Sequence, residues 1–278
     1  MAAKVHRTRE VCKHGIVWFV LLLTFAPFYL MVVMSFKSNT QFVRNPWFFD
    51  AFKSWHWENW AKGWSTVHDY IANSIVTSVG AVVLCLVMAV PTSYILARHR
   101  FWGRGLVYYG LVASMFLPAT AATLVTLFSL LRDMALTNSL WALVIVHGVG
   151  GQVVCVFILR MFIEDIPREM FESAQIDGAG HLHQIRHIVV PMSAPVLGTL
   201  AIITFLGAWN DLMLPLVIMR DDERLTVPVG LMRLDGEYVK QWGEMMAAYT
   251  ISSIPLIILF LFSMRYFVQG LSAGAIKG

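Results

Sequence analysis

Residues 73–97 read NSIVTSVGAVVLCLVMAVPTSYILA, and the next three are Arg98-His99-Arg100. Twenty-five residues pass without an Asp, Glu, Lys or Arg. As helix, at ~1.5 Å per residue, such a run covers about 37 Å and crosses a hydrocarbon layer of ~30 Å. A charge inside that layer is costly, so the run ends where the bilayer ends. The basic cluster just beyond it is the kind of flank that stays on the cytoplasmic side. This stretch therefore predicts both a spanning helix and its direction.

Outward from it, windows of the same kind recur at 16–36, 106–131, 139–161, 196–219 and 248–267, six in all. Of the 278 residues 58% are hydrophobic and 14% charged, against about 45–50% and ~25% in soluble domains. A soluble fold of this composition would expose too much apolar surface to stay dispersed. The connections leave no room for a separate soluble domain. The expected fold class is an all-α membrane protein with six transmembrane helices. The first window is longer than the core of a signal peptide, and no A-x-A-like site follows at Met34-Ser35-Phe36-Lys37, so it reads as a retained helix.

With the N-terminus cytoplasmic, 12 of the 21 Lys and Arg fall in inner connections. Arg98, Arg100 and Arg104 are the densest local group, and N-terminus and C-terminus are both expected inside. The resulting divisions are 1–15, a cytoplasmic segment; 16–36, the first span; 37–72, an extracytoplasmic loop; 73–267, a core of five spans; and 268–278, a cytoplasmic tail. The 37–72 loop holds Trp47, Trp55, Trp57, Trp60 and Trp64 with Phe48, Phe49 and Phe52. An interfacial aromatic belt is the plainer reading, and a docking surface for a sugar or partner the sharper one. The 220–247 stretch is polar and acidic and suits a wet partner contact.

The formal charge of +4 is not gathered on one face, which argues against a nucleic-acid partner. Cys12, Cys85 and Cys155 lie far apart, without metal-ligand or disulfide-framework spacing.

Between the fourth and fifth windows, residues 162–195 are more than a connector. Pro167 suits a first helical turn. Ile166, Met170 and Ala174, with Phe171 beside them, form an apolar stripe, and Arg168, Glu169, Glu172 and Gln175 take the other side. Asp177-Gly178 ends this helix. A second follows with Leu182, Ile185 and Val189 on one face, and Pro191 and Pro195 are expected to break it. Amphipathicity alone leaves packing on the chain's own bundle and docking of a partner equally open.

Glu172-Ser173-Ala174-x3-Gly178-x9-Ile188-x-Val190-Pro191 resembles the E-A-A-x3-G-x9-I-x-L-P loop of permease subunits of binding-protein-dependent ABC importers. Ser173 for Ala and Val190 for Leu are its two departures. Gly207-Ala208-Trp209-Asn210-Asp211 resembles a run of the carbohydrate-uptake branch, and residues 270–278 are similar to the ending of maltose-type subunits. The resemblance implies a type I ABC importer permease fold in the cytoplasmic (inner) membrane, crossing it several times. It implies two ATP-binding subunits, a second related permease and an extracytoplasmic solute-binding protein as partners, besides membrane lipid. It implies coupling through Glu172, Ser173, Ala174, Asp177, Gly178 and Ala179, with Ile188 and Pro191 fixing the exit. The solute it implies is a sugar or oligosaccharide, with glycerol-3-phosphate or another polyol-like compound as the alternative. A stand-alone secondary transporter is the remote one. ATP and Mg are used by the partner ATPases, and no cofactor is expected on this chain.

Other motifs fail their context. No Gly-Lys dipeptide occurs, so there is no P-loop. Gly270-Leu271-Ser272-Ala273-Gly274 matches G-x-S-x-G, but neither acid nor His follows it, and no catalytic residue is expected. His183 and His187 have i, i+4 spacing, yet Gln184 stands where His-Glu-x-x-His needs Glu, so they read as wet-face residues and no metal site is expected. Polar residues inside spans carry more weight. Trp209, Asn210 and Asp211 read as a substrate path, with amide and carboxylate to meet hydroxyls and Trp to stack on a ring. His147 and Gln152 read first as interhelical hydrogen bonding across the glycines at 148, 150 and 151.

Overall fold

The computed structural model describes residues 2–117, 121–235 and 240–275, with side-chain surroundings for 13–117, 122–235 and 240–264. Among the described residues every regular element is helical. In chain order these are α1 (Ala2–Ser35), α2 (Asn39–Arg44), a 3-10 turn (Phe52–Ser54), α3 (Glu58–Arg98), α4 (Arg104–Ser114), α5 (Ala121–Asp133), α6 (Leu140–Gly150) and α7 (Gln152–Glu164). Then come α8 (Arg168–Ile176), α9 (His181–Gln184), a π-helical turn (Ile185–Val189), α10 (Val190–Met192), α11 (Ala194–Trp209), α12 (Met213–Ile218), a 3-10 turn (Asp222–Arg224), α13 (Val227–Asp235) and α14 (Trp242–Ala275).

Lys13–Ser35, Glu58–Arg98 and Trp242–Met264 are each long and apolar enough to cross a membrane. Two bent pairs join them if each counts as one span: α6 with α7, bent by 41°, and His181–Met192 with α11, bent by 82°. The 106–131 window falls on α4 and α5, of 11 and 13 residues. Each is shorter than the ~20 residues a crossing needs, and residues 118–120 between them are outside the described residues. The structure thus supports three to five spans.

Two windows differ instructively from the helices. The 73–97 window is only the apolar part of α3, which begins 15 residues earlier at Glu58 because nothing in 58–72 breaks a helix and an acidic first turn favours its start. The 196–219 window is not one helix. Pro215 lacks an N–H and its ring collides with the carbonyl four residues back, at Asp211. The helix accordingly stops at Trp209, Asn210 caps it, and the Asp211 carboxylate accepts the Met213 amide at 3.1 Å to start α12.

The chain divides into two compact units, 1–68 with 231–255, and 69–230 with 256–278. In the first unit, Phe36 packs its ring 4.6–5.3 Å from those of Trp55, Trp57 and Trp60. Beside it the buried Lys37 pairs with Asp50 at 2.7 Å, Trp55 donates to the Asp50 carbonyl, and the buried Asn59 amide donates to the carbonyls of Ser35 and Lys37. The 37–72 aromatics are therefore partly a packed core, while Trp47, Phe48, Phe52, Trp57 and Trp64 stay exposed. The acidic 220–247 stretch holds α13 and the start of α14 rather than plain loop; its Glu237 lies outside the described residues.

The second unit has two cores. One gathers Leu131, Leu143, Leu214, Ile218 and Leu225. The other gathers Cys85, Tyr94 and Leu159 with five residues from 162–195: Ile163, Ile166, Phe171, Ile188 and Val189.

Candidate functional site

The 162–195 segment is built to hold its shape. Pro167 caps α8, with Glu169 in the first turn. At the other end Gly178 adopts φ +80°, its amide bonds the Gln175 carbonyl at 3.0 Å, and the Ala179 amide reaches back to the Ala174 carbonyl at 2.8 Å. Those two bonds form a Schellman motif, whose left-handed residue is glycine because a Cβ costs about 1–2 kcal/mol there. A Cβ at Gly178 would meet nothing within 4 Å, so the requirement is one of backbone conformation.

The buried stripe differs from the periodic one. Because α8 begins only at Arg168, Ile166 is outside the helical register; Ile166 and Phe171 are buried, Ala174 is half-buried, and Met170 turns outward. Similarly Val189 is buried but Leu182 is 78% exposed. Pro191 does not end the second helix: it sits in α10, directly after the π-helical turn Ile185–Val189, and the break falls at Ser193, with Pro195 in the first turn of α11.

Of the coupling residues expected from sequence, Glu172, Ser173, Asp177 and Gly178 are exposed, and Ala174 and Ala179 are half-buried. Ile188 is buried in the core and Pro191 is exposed. An outward polar edge thus stands on an inward apolar anchor.

Three side chains that periodicity did not single out tie this segment to the end of α3. The Tyr94 hydroxyl donates to Gln184 Oε1 at 2.7 Å, and Gln184 Nε2 donates to the Ala179 carbonyl at 3.0 Å. Arg98 donates to the carbonyls of Ile163 and Ile166, and its guanidinium lies 4.2 Å from the centre of the Phe171 ring. Gln184 stands four residues before the buried Ile188, on the inward face, which was the one legible sign of its role. The His181 ring packs edge-on against His99 at 4.8 Å and lies 3.2 Å from the Tyr94 hydroxyl. Burial, helped by the neighbouring His181, holds the His99 imidazole below its ordinary pKa. His183 and His187 stack on each other, and among the described residues no three potential metal ligands converge.

The polar residues of the fourth and fifth windows separate into two sets. Gln152 donates to the Cys85 carbonyl at 2.8 Å, bonding α7 to α3. A Cβ on Gly148 would stand 2.8–3.0 Å from Leu84, so this glycine permits a close crossing. His147 instead faces Asp211, with Nε2 3.1 Å from Oδ2, a close polar contact without hydrogen-bond alignment. The two are about four-fifths buried. Beside them a groove of about 350 Å³ runs between α6–α7 and α11, walled by His147, Gly150, Gly151, Thr204 and Gly207. Asn210 is exposed, but Trp209 is buried and stacked on Phe205, so its ring face is not open to a solute in this conformation.

The chain is similar to known proteins. The diacetylchitobiose uptake system permease protein DasC of Streptomyces coelicolor is 33% identical, over 91% of each chain. The trehalose/maltose transport system permease protein MalG of Thermococcus litoralis is 32% identical, again over 91% of each. In fold, the chain is similar to part of a bacterial ABC transporter involved in the import of the acidic polysaccharide alginate, with a TM-score of 0.82 and 21% identity, over 94% of this chain and 97% of that one. Residues 89–273 match the family model of the binding-protein-dependent transport system inner membrane component. That match takes in α4 to α13, most of α14, the docked 162–195 segment and the His147–Asp211 groove. The chain is accordingly a multi-pass membrane protein of that family, a transport component and not an enzyme.

Proposed function

We propose that this chain is a permease subunit of an ATP-driven importer that moves a sugar or oligosaccharide, delivered by an extracytoplasmic binding protein, across the membrane. It pairs with a second, related permease and two ATP-binding subunits. Six spans with both termini cytoplasmic, α4 and α5 together forming one, put the 162–195 segment on the ATPase side. The observation that carries this reading is the anchoring of that segment: Ile166, Phe171, Ile188 and Val189 belong to the same core as Tyr94 and Leu159. A helix so fixed transmits a rigid-body displacement, as alternating access needs, whereas a loose loop absorbs it. Glu172, Ser173, Ala174, Asp177, Gly178 and Ala179 form the ATPase seat. The carbohydrate assignment draws on the relatives' solutes and on the polar path, with Asp211 and Asn210 toward hydroxyl groups and His147 beside them.

The test is uptake by cells carrying the chain and its neighbouring transporter subunits, over a panel of disaccharides, oligosaccharides and glycerol-3-phosphate, with Asn210→Ala and Asp211→Asn alongside. Uptake of a carbohydrate that falls in both variants, with co-purification of the ATP-binding subunits unchanged, is expected. Uptake of glycerol-3-phosphate alone contradicts the solute assignment, and undiminished uptake in both variants contradicts the path.

A further inference from the structure

We propose that the chain binds an anionic phospholipid at the Arg98 end of α3, its phosphate in a basic cleft and an acyl chain in an apolar groove on the same face of the helix. The cleft has a volume of about 390 Å³ and lies between the end of α3 and α8. Arg98, His99 and Arg100 line it from one side and Arg168 from the other, against the single carboxylate of Glu172. Arg100 and Arg168 have no ion pair among the described residues. Arg98 commits one nitrogen to the Ile163 and Ile166 carbonyls, but its buried Nε has no partner. A buried donor left unpaired costs about 1–3 kcal/mol, so buried donors nearly always have an acceptor. An anion in the cleft supplies one and offsets part of the charge of the three guanidinium groups.

The second half of the site is apolar. A groove of about 390 Å³ is walled by Val87, Val90 and Pro91 of α3, with Leu182, Ile185 and Leu197 opposite. Positions 87, 91, 94 and 98 follow one another at three- and four-residue spacing, so groove and cleft lie along one stripe of α3, on either side of the Tyr94–Gln184 bond. The groove lies in the membrane-crossing part and the cleft at its end. Phe101 and Trp102 follow directly, the latter 99% exposed, and exposed aromatic side chains of this kind sit at headgroup level. A phosphate at that height with an alkyl chain pointing into the bilayer is a phospholipid. Free phosphate shares the chemistry of the cleft but leaves the groove unfilled.

The experiment purifies the chain in mild detergent with whatever subunits accompany it, exchanges in phosphatidylglycerol or phosphatidylcholine, and counts retained lipid by native mass spectrometry. Three forms are compared: the unaltered chain, Arg100→Gln/Arg168→Gln, and Leu182→Asn. Arg98, which also ties the backbone, is left in place. The unaltered chain is expected to retain phosphatidylglycerol in preference to phosphatidylcholine. The double variant should hold it roughly tenfold or more weakly, since each basic residue near an anionic lipid contributes about 1 kcal/mol. Leu182→Asn should weaken both lipids, and inorganic phosphate should not compete. Equal retention by the double variant overturns the proposal. Displacement by inorganic phosphate assigns the cleft to a free anion instead. Loss of an accompanying subunit with lipid retention unchanged means that the cleft receives an acidic side chain of a partner protein.

Discussion

A single buried amide, Gln184, joins the 162–195 segment to α3 through the Tyr94 hydroxyl. Tyr94→Phe keeps the ring packing but leaves Gln184 Oε1 without that donor. The expected loss is about 1–3 kcal/mol of stability, read as a lower melting temperature in detergent, with Gln184→Leu in the same background recovering part of it. The His99 ring, whose pKa burial and the neighbouring His181 lower from its ordinary value, gives this region a pH dependence. The unfolded chain takes up a proton as pH falls below about 6.5, and the folded one resists it. Stability is then full above that pH and declines below it, so melting between pH 7.5 and 5.5 should shift less in His99→Gln than in the unaltered chain. At this scale the sequence was legible where backbone geometry dictates the residue, as at Gly178. It was not legible where a role arises from a partner 65–90 residues away, as for Tyr94, Arg98 and Gln184.

Helices were read best where they are long and apolar, and worst where a turn interrupts them. α1, α3 and α14 each contain one apolar window, but hydropathy locates the membrane part of a helix and not its ends, so α3 began 15 residues before its window. The 196–219 window hid the break at Asn210 because Leu, Met, Val and Ile surround Pro215 and dominate any hydropathy average. The 139–161 window hid the 41° bend at Gly151 for the same reason. Glycines in these elements have two distinct tasks. Gly148 lies against Leu84, and Gly148→Ala is expected to cost about 1–3 kcal/mol by overpacking. Gly207 borders the open groove with nothing within 4 Å of a Cβ. Gly207→Ala should therefore leave the melting temperature unchanged while lowering the uptake rate as the groove narrows. Equal destabilisation by both substitutions would mean that the groove closes in the working protein.

For the whole molecule, composition identified a membrane bundle and the Glu172–Pro191 spacing its family, before any packing was known. The number of spans is the part that hydropathy stated more firmly than the helices do, since α4 and α5 are short and flank residues outside those described. The 162–195 segment is an anchored element with an exposed polar edge, shaped at one end by Gly178. Pull-down of the tagged chain in mild detergent, with the Gly178→Val variant beside it and mass spectrometry of what is recovered, tests this most directly. The unaltered chain is expected to bring down ATP-binding subunits and a second permease. In Gly178→Val the strained left-handed residue should distort the seat, so that the ATP-binding subunits are lost and the second permease is kept. Recovery of the ATP-binding subunits at the same level in both forms, or of the chain alone and active in liposomes without ATP, would contradict it.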